Sequence, residues 1–165
     1  MGFQKSVTTL AKAYPGDVAG GLFYPTQGKI VRDLVTVGKF AWIDAVDSQF
    51  VSINKGTNKL LAGLVYRDNT TVWNNADYQQ GYSMNVSAGY ECQIATKGPY
   101  YVILFASLNA GAAVNIGDIV YSDANGNAVI GVTTQQGYTK TNFVIGETGI
   151  VGDLILITNT ANVNA

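Results

Sequence analysis

The sequence contains no histidine and only one cysteine, Cys92. Without an imidazole, the Ser-His-Asp and Cys-His arrangements of nucleophilic enzymes cannot be built. Most zinc sites are excluded as well, because they rely on imidazole or on several thiolates. A single cysteine cannot form a disulfide within the chain, which excludes a disulfide-stapled secreted scaffold and favours assembly in a reducing cytoplasm. We expect Cys92 to be a buried, unreactive thiol, since its surroundings in the sequence are apolar.

Charged residues are also scarce. They make up 13% of the 165 residues, about half of the roughly 25% that is typical of soluble domains. The ten basic residues are scattered and the net charge is −1, so the chain lacks the basic patch of a nucleic-acid-binding protein. A surface this poor in charge is weakly protected against association, and we therefore expect lasting contacts with other subunits.

Long apolar runs and cofactor motifs are missing too. The longest apolar run, residues 100–106, is far shorter than the roughly 20 residues that span a bilayer. The N-terminus has no apolar signal region, so neither export nor membrane insertion is expected. There is no phosphate-binding loop and no dinucleotide fingerprint. The segment 123–127 begins like a calcium loop, but its glycine comes too early and the closing glutamate is absent, so we predict a hairpin turn. No catalytic residue, metal or cofactor is predicted.

The sequence does contain a series of short β-strand patterns separated by Gly, Asn and Pro turns, with no amphipathic helix of ten or more residues. The strongest core strand is predicted at residues 100–105, residues 86–95 are predicted as one strand, and residues 133–142 as a polar loop. We predict an all-β fold, a single-domain β sandwich or partly closed, jelly-roll-like barrel. The β domain would span residues 30–158, between an irregular N-terminal arm at 1–29 and a polar tail at 159–165.

Two stretches, 37–52 and 116–131, share one pattern: a glycine, a short apolar run, an acidic turn and a second apolar run. The matching positions are Gly38 with Gly117, Trp42 with Tyr121, and Asp44 with Asp123. This pattern predicts two related hairpins in a domain of two similar halves, with the paired aromatic residues at equivalent positions.

Aromatic side chains also occur in two irregular stretches, the arm at 1–29 and a long polar loop at 67–82. A purely disordered segment does not normally carry them, and long loops in compact domains are often functional. Either these stretches fold back on their own domain or they contact a neighbouring subunit. The candidate anchors for such a partner contact are Phe3, Tyr14, Tyr24, Trp73, Tyr78 and Tyr82.

Four segments of the chain resemble the phage cement family, the capsid-decoration proteins of tailed bacteriophages. They are GFQKSVTTLAKAYPGDVAG (2–20), VGKFAWID (37–44) leading to LAGLVY (61–66), VNIGDIVYSDANGNA (114–128) and FVIGETGIVGDLILI (143–157). Each motif is structural and weak alone, and it is their order and spacing across most of the chain that carry the resemblance.

The resemblance implies a non-enzymatic structural virion protein on the capsid exterior, made in the host bacterial cytoplasm. Its partner would be the major capsid protein, whose subunits it would bridge and stabilise as a homo-oligomer, a dimer or trimer, without contacting nucleic acid or membrane. An alternative is a carbohydrate-binding or adhesive β module, in which Tyr and Trp stack on sugar rings. A tail or baseplate subunit of a similar virus is a further alternative.

Overall fold

The computed structural model describes residues 13–19, 26–57, 59–67, 84–131 and 136–159. Within these ranges the chain forms twelve strands and one 3₁₀ turn, Ala110–Ala112. The strands are β1 (Thr26–Val31), β2 (Leu34–Thr36), β3 (Phe40–Asp44), β4 (Phe50–Ser52), β5 (Lys59–Val65), β6 (Asn85–Ser87), β7 (Glu91–Ala95), β8 (Tyr100–Ser107), β9 (Ile119–Ser122), β10 (Ala128–Gly131), β11 (Thr139–Ile145) and β12 (Leu154–Asn159). The all-β prediction is confirmed.

The strands close into two barrels rather than one sandwich. The first barrel follows the circular order β1-β4-β3-β5-β7, and β2 and β6 form a separate two-stranded sheet. The second barrel follows the circular order β8-β10-β9-β11-β12. In each barrel one neighbouring pair is parallel, β1 with β4 and β8 with β10, and the other four pairs are antiparallel. The two barrels therefore have the same topology, and the duplication extends well beyond the two hairpins seen in the sequence.

Backbone hydrogen bonds repeat between the barrels as well. Gly38 donates its N–H to the carbonyl of Val65 at 2.8 Å, and Gly117 donates to the carbonyl of Ile145 at 2.9 Å. Both glycines have a positive φ, 81° and 91°, a conformation that glycine adopts without the steric cost of a Cβ. The matching glycines of the sequence thus start β3 and β9 through the same turn.

The two predicted hairpins, β3–β4 and β9–β10, occupy matching places but differ in register. Trp42 and Tyr121 lie in the corresponding strands and are both 1% exposed. Trp42 is paired with Ser52, whereas Tyr121 is paired with Val129, two residues earlier than the sequence match would place its partner. The innermost pairs are Ile43 with Val51 in the first hairpin and Ser122 with Ala128 in the second, so the second hairpin pairs closer to its turn.

The larger hydrophobic core belongs to both barrels. Phe40 of the first barrel packs against Phe143 of the second, with ring centroids 6.0 Å apart, and Tyr100 meets Phe143 edge-on at 6.3 Å. Phe40 also donates its backbone N–H to the carbonyl of Gly126 at 2.7 Å. A second core is shared by the first barrel and the β2–β6 sheet, to which Val86 belongs. The two barrels are therefore joined by a shared core that contains these buried aromatic contacts.

Several predicted boundaries differ from those observed. The segment predicted as one strand at 86–95 is divided by a turn into β6 and β7. The predicted polar loop at 133–142 contains the first half of β11, where Thr141 is buried and donates its hydroxyl to the carbonyl of Val120 at 2.7 Å. This hydrogen bond lets a polar side chain be buried inside the barrel. The polar residues of the segment are therefore compatible with a strand, and the loop prediction was wrong there. Strand β1 begins at Thr26, inside the predicted arm, and β12 continues to Asn159.

Candidate partner-binding surface

The acidic residues of the two hairpins serve the turns themselves. The Asp123 carboxylate accepts the backbone N–H groups of Asn125 and Asn127 and the side-chain amide of Asn127, all at 2.8 Å. The Asp44 carboxylate accepts the backbone N–H of Val46 at 2.8 Å, and this hydrogen bond holds the pKa of Asp44 below its usual value. These contacts make the segment at Asp123 a hairpin turn, as predicted.

Cys92 is fully buried, as predicted. Burial raises the pKa of its thiol to about 12, and the neighbouring charge of Glu91 adds to the effect. Among the described residues, no three His, Cys, Asp or Glu side chains come together in a group that could hold a metal ion. None of the helical structure in the same ranges is long and apolar enough to cross a membrane.

Residues 13–19 lie across the seam between the two barrels. On the second barrel, Gly16 donates its N–H to the carbonyl of Tyr101 at 2.7 Å, and Tyr101 donates in turn to the carbonyl of Asp17 at 3.0 Å. On the first barrel, Arg67 donates its backbone N–H to the carbonyl of Gly16 at 2.9 Å. This part of the predicted arm therefore folds back onto its own chain and ties the two barrels together.

Tyr14 is the one predicted anchor that lies within the described residues. Its side chain is 55% exposed, and the Arg67 guanidinium lies 4.6 Å from its ring centroid. Arg67 is also 3.5 Å from the Asp17 carboxylate, whose other oxygen accepts the Tyr14 backbone N–H at 2.8 Å. The ring is thus held in place while half of it faces solvent. The other five predicted anchors lie outside the described residues, and their role stays a prediction: Phe3, Tyr24, Trp73, Tyr78 and Tyr82.

An apolar groove of about 300 Å³ opens beside this segment, between the two barrels. Its walls come from the arm, from the first barrel with its β2–β6 sheet, and from β8 and β10 of the second barrel. The lining residues are Pro15, Thr36, Val37, Gly38, Lys39, Met84, Ile103, Phe105, Asn127 and Ala128. Ile103 and Phe105 leave 52% and 60% of their surface exposed. Two adjacent large apolar side chains beside an apolar groove are typical of a contact site for another molecule.

The sequence did not single out Ile103 and Phe105. The run at 100–105 was predicted as a core strand, and β8 does form there, but only alternate residues enter the core. Val102 and Leu104 are fully buried, while the two residues between and after them face outward. Because every residue of the run is apolar, the two-residue alternation that marks a half-exposed strand is absent. Only the closure of the second barrel distinguishes the inner from the outer face.

Comparison with known proteins gives a matching family model and several solved structures that align with this chain. The family model of the XM1 gp53 minor capsid protein matches residues 3–159. A chain from the capsid of Myoviridae phage XM1 has a similar fold, with a TM-score of 0.64 and 15% identity, covering 97% of this chain and 99% of that one. The N base of head fiber gp8.5 of bacteriophage phi29 aligns with a TM-score of 0.43 and 14% identity, over 82% of this chain and 93% of that one. A search of curated proteins gives no match.

The matched residues span nearly the whole chain and include both barrels and the arm segment that crosses the seam. The sequence-based resemblance to capsid-associated proteins of tailed phages is thereby confirmed. The chain belongs to the XM1 gp53 minor capsid protein family.

Proposed function

We propose that this protein binds the outer surface of a phage capsid and stabilises the shell by bridging neighbouring major capsid subunits. Membership of a minor capsid family makes it a structural virion protein, and the bridging role is our inference. In the same proposal the protein is non-enzymatic, is made in the host bacterial cytoplasm, acts as a dimer or trimer, and contacts neither nucleic acid nor membrane.

The observation that carries the proposal is the groove between the barrels, with Ile103 and Phe105 exposed on its wall and Tyr14 held nearby. A rigid surface built from three parts of the chain can present several apolar side chains without the cost of ordering them on binding. A few well-buried side chains, often aromatic, supply most of the free energy in typical protein interfaces.

The mechanism needs no chemistry beyond selective binding. A protein that binds only where subunits meet in the mature arrangement lowers the free energy of that arrangement by mass action. Attachment through more than one copy adds avidity without a new kind of contact. A surface with few charges suits this role, because an apolar contact keeps most of its strength when the salt concentration changes.

The test compares two substitutions of exposed apolar residues. Phe105→Ser changes the groove wall, and Val46→Ser, at the tip of the first hairpin where Val46 is 93% exposed, is the matched control. Because both side chains are largely in solvent, both variants should keep the melting temperature of the wild type. Loss of a binding anchor costs about 2 kcal/mol or more, which corresponds to roughly a thirtyfold loss of affinity.

Capsids that lack the protein are mixed with each variant and sedimented, and the heat resistance of the loaded shells is recorded. We expect Phe105→Ser to fail in both measurements and Val46→Ser to behave as the wild type. Equal binding by all three proteins would remove the groove from the interface. Binding to a glycan array, with no binding to capsids, would support the carbohydrate-binding alternative in place of the proposal.

A further inference from the structure

Strand β1 leaves half of one edge without a neighbour. It pairs with β7 along residues 26–30, but with β4 only at Ile30 and Val31. In the part of the chain that the structure describes, no strand pairs with residues 26–29 on the β4 side. An open edge offers unpaired N–H and C=O groups, and such edges bind extended segments of other chains.

The direction of these groups follows from the bonds nearby. Ile30 donates its N–H to the carbonyl of Gln49 at 2.9 Å, towards β4. Backbone groups two residues apart point to the same side of a strand, so the N–H of Gly28 faces the open side. Gly28 is exposed. An open pocket of about 340 Å³ lies against this edge, lined by Gly28, Lys29, Ile30, Ser48, Gln49 and Glu91. The Lys29 ammonium donates to the carbonyl of Ser48 at 2.8 Å on this side.

The second barrel shows what occupies the equivalent edge. Strand β8 pairs with β12 over residues 100–103 and with β10 only from Leu104 onward. The half of β8 that β10 does not pair with is covered by the arm of the same chain. Val18 forms a β-bridge with Tyr100, and backbone hydrogen bonds lie on both sides of that bridge. Since the two barrels share one topology, an extended segment of this chain is the kind of ligand that this edge accepts.

We propose that the open edge of β1 binds residues 1–12 of a second copy of this chain as an added strand. Twelve residues reach up to about 40 Å when extended, enough for the segment that precedes residue 13 to reach a neighbouring molecule. Residues 7–9 are Val, Thr and Thr, which favour extended structure. An exchange between two copies would cover both edges at once, as a two-fold symmetric contact requires. The contact is independent of the groove and forms without a capsid.

The first test detects the contact between two different molecules. One full-length variant carries Ser6→Cys, a second carries Ser48→Cys at the pocket wall, and the two are mixed in equal amounts and oxidised. The native Cys92 is buried and does not interfere. We expect a disulfide between positions 6 and 48, identified by mass spectrometry of the digested dimer. A mixture of Ser6→Cys with Ala124→Cys, an exposed position of the second barrel, is the control and should give no such product.

Three outcomes are informative. Formation of the 6–48 disulfide in the mixture supports the proposal. A 6–48 disulfide that forms only in a double variant, with the mass of a monomer, would assign the edge to the chain's own segment and overturn it. Absence of the disulfide in both experiments would also overturn it.

A second test removes the hydrogen-bond donor at this edge, the backbone N–H of Gly28. Gly28→Pro eliminates the N–H that faces the open side, while Gly28→Ala keeps it and adds a comparable Cβ. In both variants that Cβ displaces the end of the Glu91 side chain, whose carboxylate oxygen lies 2.3 Å from the Cβ position. Light scattering should show that Gly28→Pro weakens association by about tenfold, with Gly28→Ala close to the wild type. Equal association constants for the two variants would contradict a strand contact at this edge, and a cooperative melt of each variant shows that it is folded.

Discussion

Gly126 and Gly117 both adopt a positive φ, 77° and 91°, but only one of them lies against the other barrel. A Cβ on Gly126 would come within 2.1 Å of the Phe40 carbonyl oxygen, whereas a Cβ on Gly117 would have no atom within 4 Å. The left-handed conformation alone costs an L-residue roughly 1–2 kcal/mol. The close contact adds a second cost at Gly126, because the backbone of the first barrel must move away.

We expect Gly117→Ala to lower the free energy of unfolding by about 1 kcal/mol and Gly126→Ala by about 3 kcal/mol. Urea unfolding of the two variants and the wild type measures both values. Similar losses for the two variants would mean that the seam at Gly126 tolerates an added methyl group.

Cys92 gives a prediction about alkaline pH. Burial raises the pKa of its thiol from 9.0 to about 12, so the folded protein keeps the proton that the unfolded chain loses near pH 9. The protonated thiol therefore favours folding fully below pH 9, and this contribution is lost as the pH rises towards 12. Between pH 8 and pH 11, the free energy of unfolding should fall more steeply for the wild type than for Cys92→Ala. Parallel curves would show that the thiol is accessible to solvent.

At the scale of elements, the hairpins show how one sequence pattern produces two related but unequal structures. The matching carboxylates of Asp44 and Asp123 each accept the N–H of the residue two positions later. Asp123 makes two further bonds to Asn127, which close its turn more tightly. These hydrogen bonds account for the difference of two residues in register between the hairpins. The sequence feature that could have predicted the difference is Asn127, because its amide can donate a hydrogen bond to a preceding carboxylate.

The arm segment predicts two different effects of truncation. Deleting residues 1–14 leaves the bonds of Gly16 and Asp17 across the seam, so the shortened protein should keep its melting temperature and, in our proposal, lose capsid binding. Deleting residues 1–19 also removes those bonds and Val18, which packs against the shared core. We expect the longer deletion to lower the melting temperature by several degrees.

Calorimetry and co-sedimentation of the two truncated proteins separate these effects. If the shorter deletion still binds capsids, the first fourteen residues are outside the capsid interface. If it fails to fold, the whole arm is a structural element and its role in binding cannot be separated from stability.

At the scale of the whole molecule, the shared core predicts that the barrels unfold together. Phe143 is 2% exposed and contacts aromatic rings of both barrels, so Phe143→Ala should cost about 3–5 kcal/mol. Val86→Ala lies in the second core, shared by the first barrel and the β2–β6 sheet, where Val86 is 1% exposed, and serves as the comparison substitution. In one cooperative unit, both variants shift a single calorimetric transition. Two transitions that respond separately would show that each barrel is stable alone.

The amino-acid sequence by itself determined the local features of this protein. The order of apolar runs and turn residues predicted most of the strands, because the pattern of side chains along a strand is a property of neighbouring residues. The matching glycines and aspartates predicted the duplicated hairpins for the same reason. The order and spacing of weak motifs also pointed to capsid-associated proteins of tailed phages, which the family match over residues 3–159 confirmed.

Only the tertiary structure decided which surfaces remain open. Ile103 and Phe105 are as apolar as their buried neighbours, and their exposure arises because β8 closes a barrel and turns alternate side chains outward. The free edge of β1 exists because β4 meets it only at its end. The seam crossed by the arm exists because Phe40 and Phe143 join two barrels in one core. Each of these features depends on contacts between residues far apart in the chain, and patterns of neighbouring residues carry no information about such contacts.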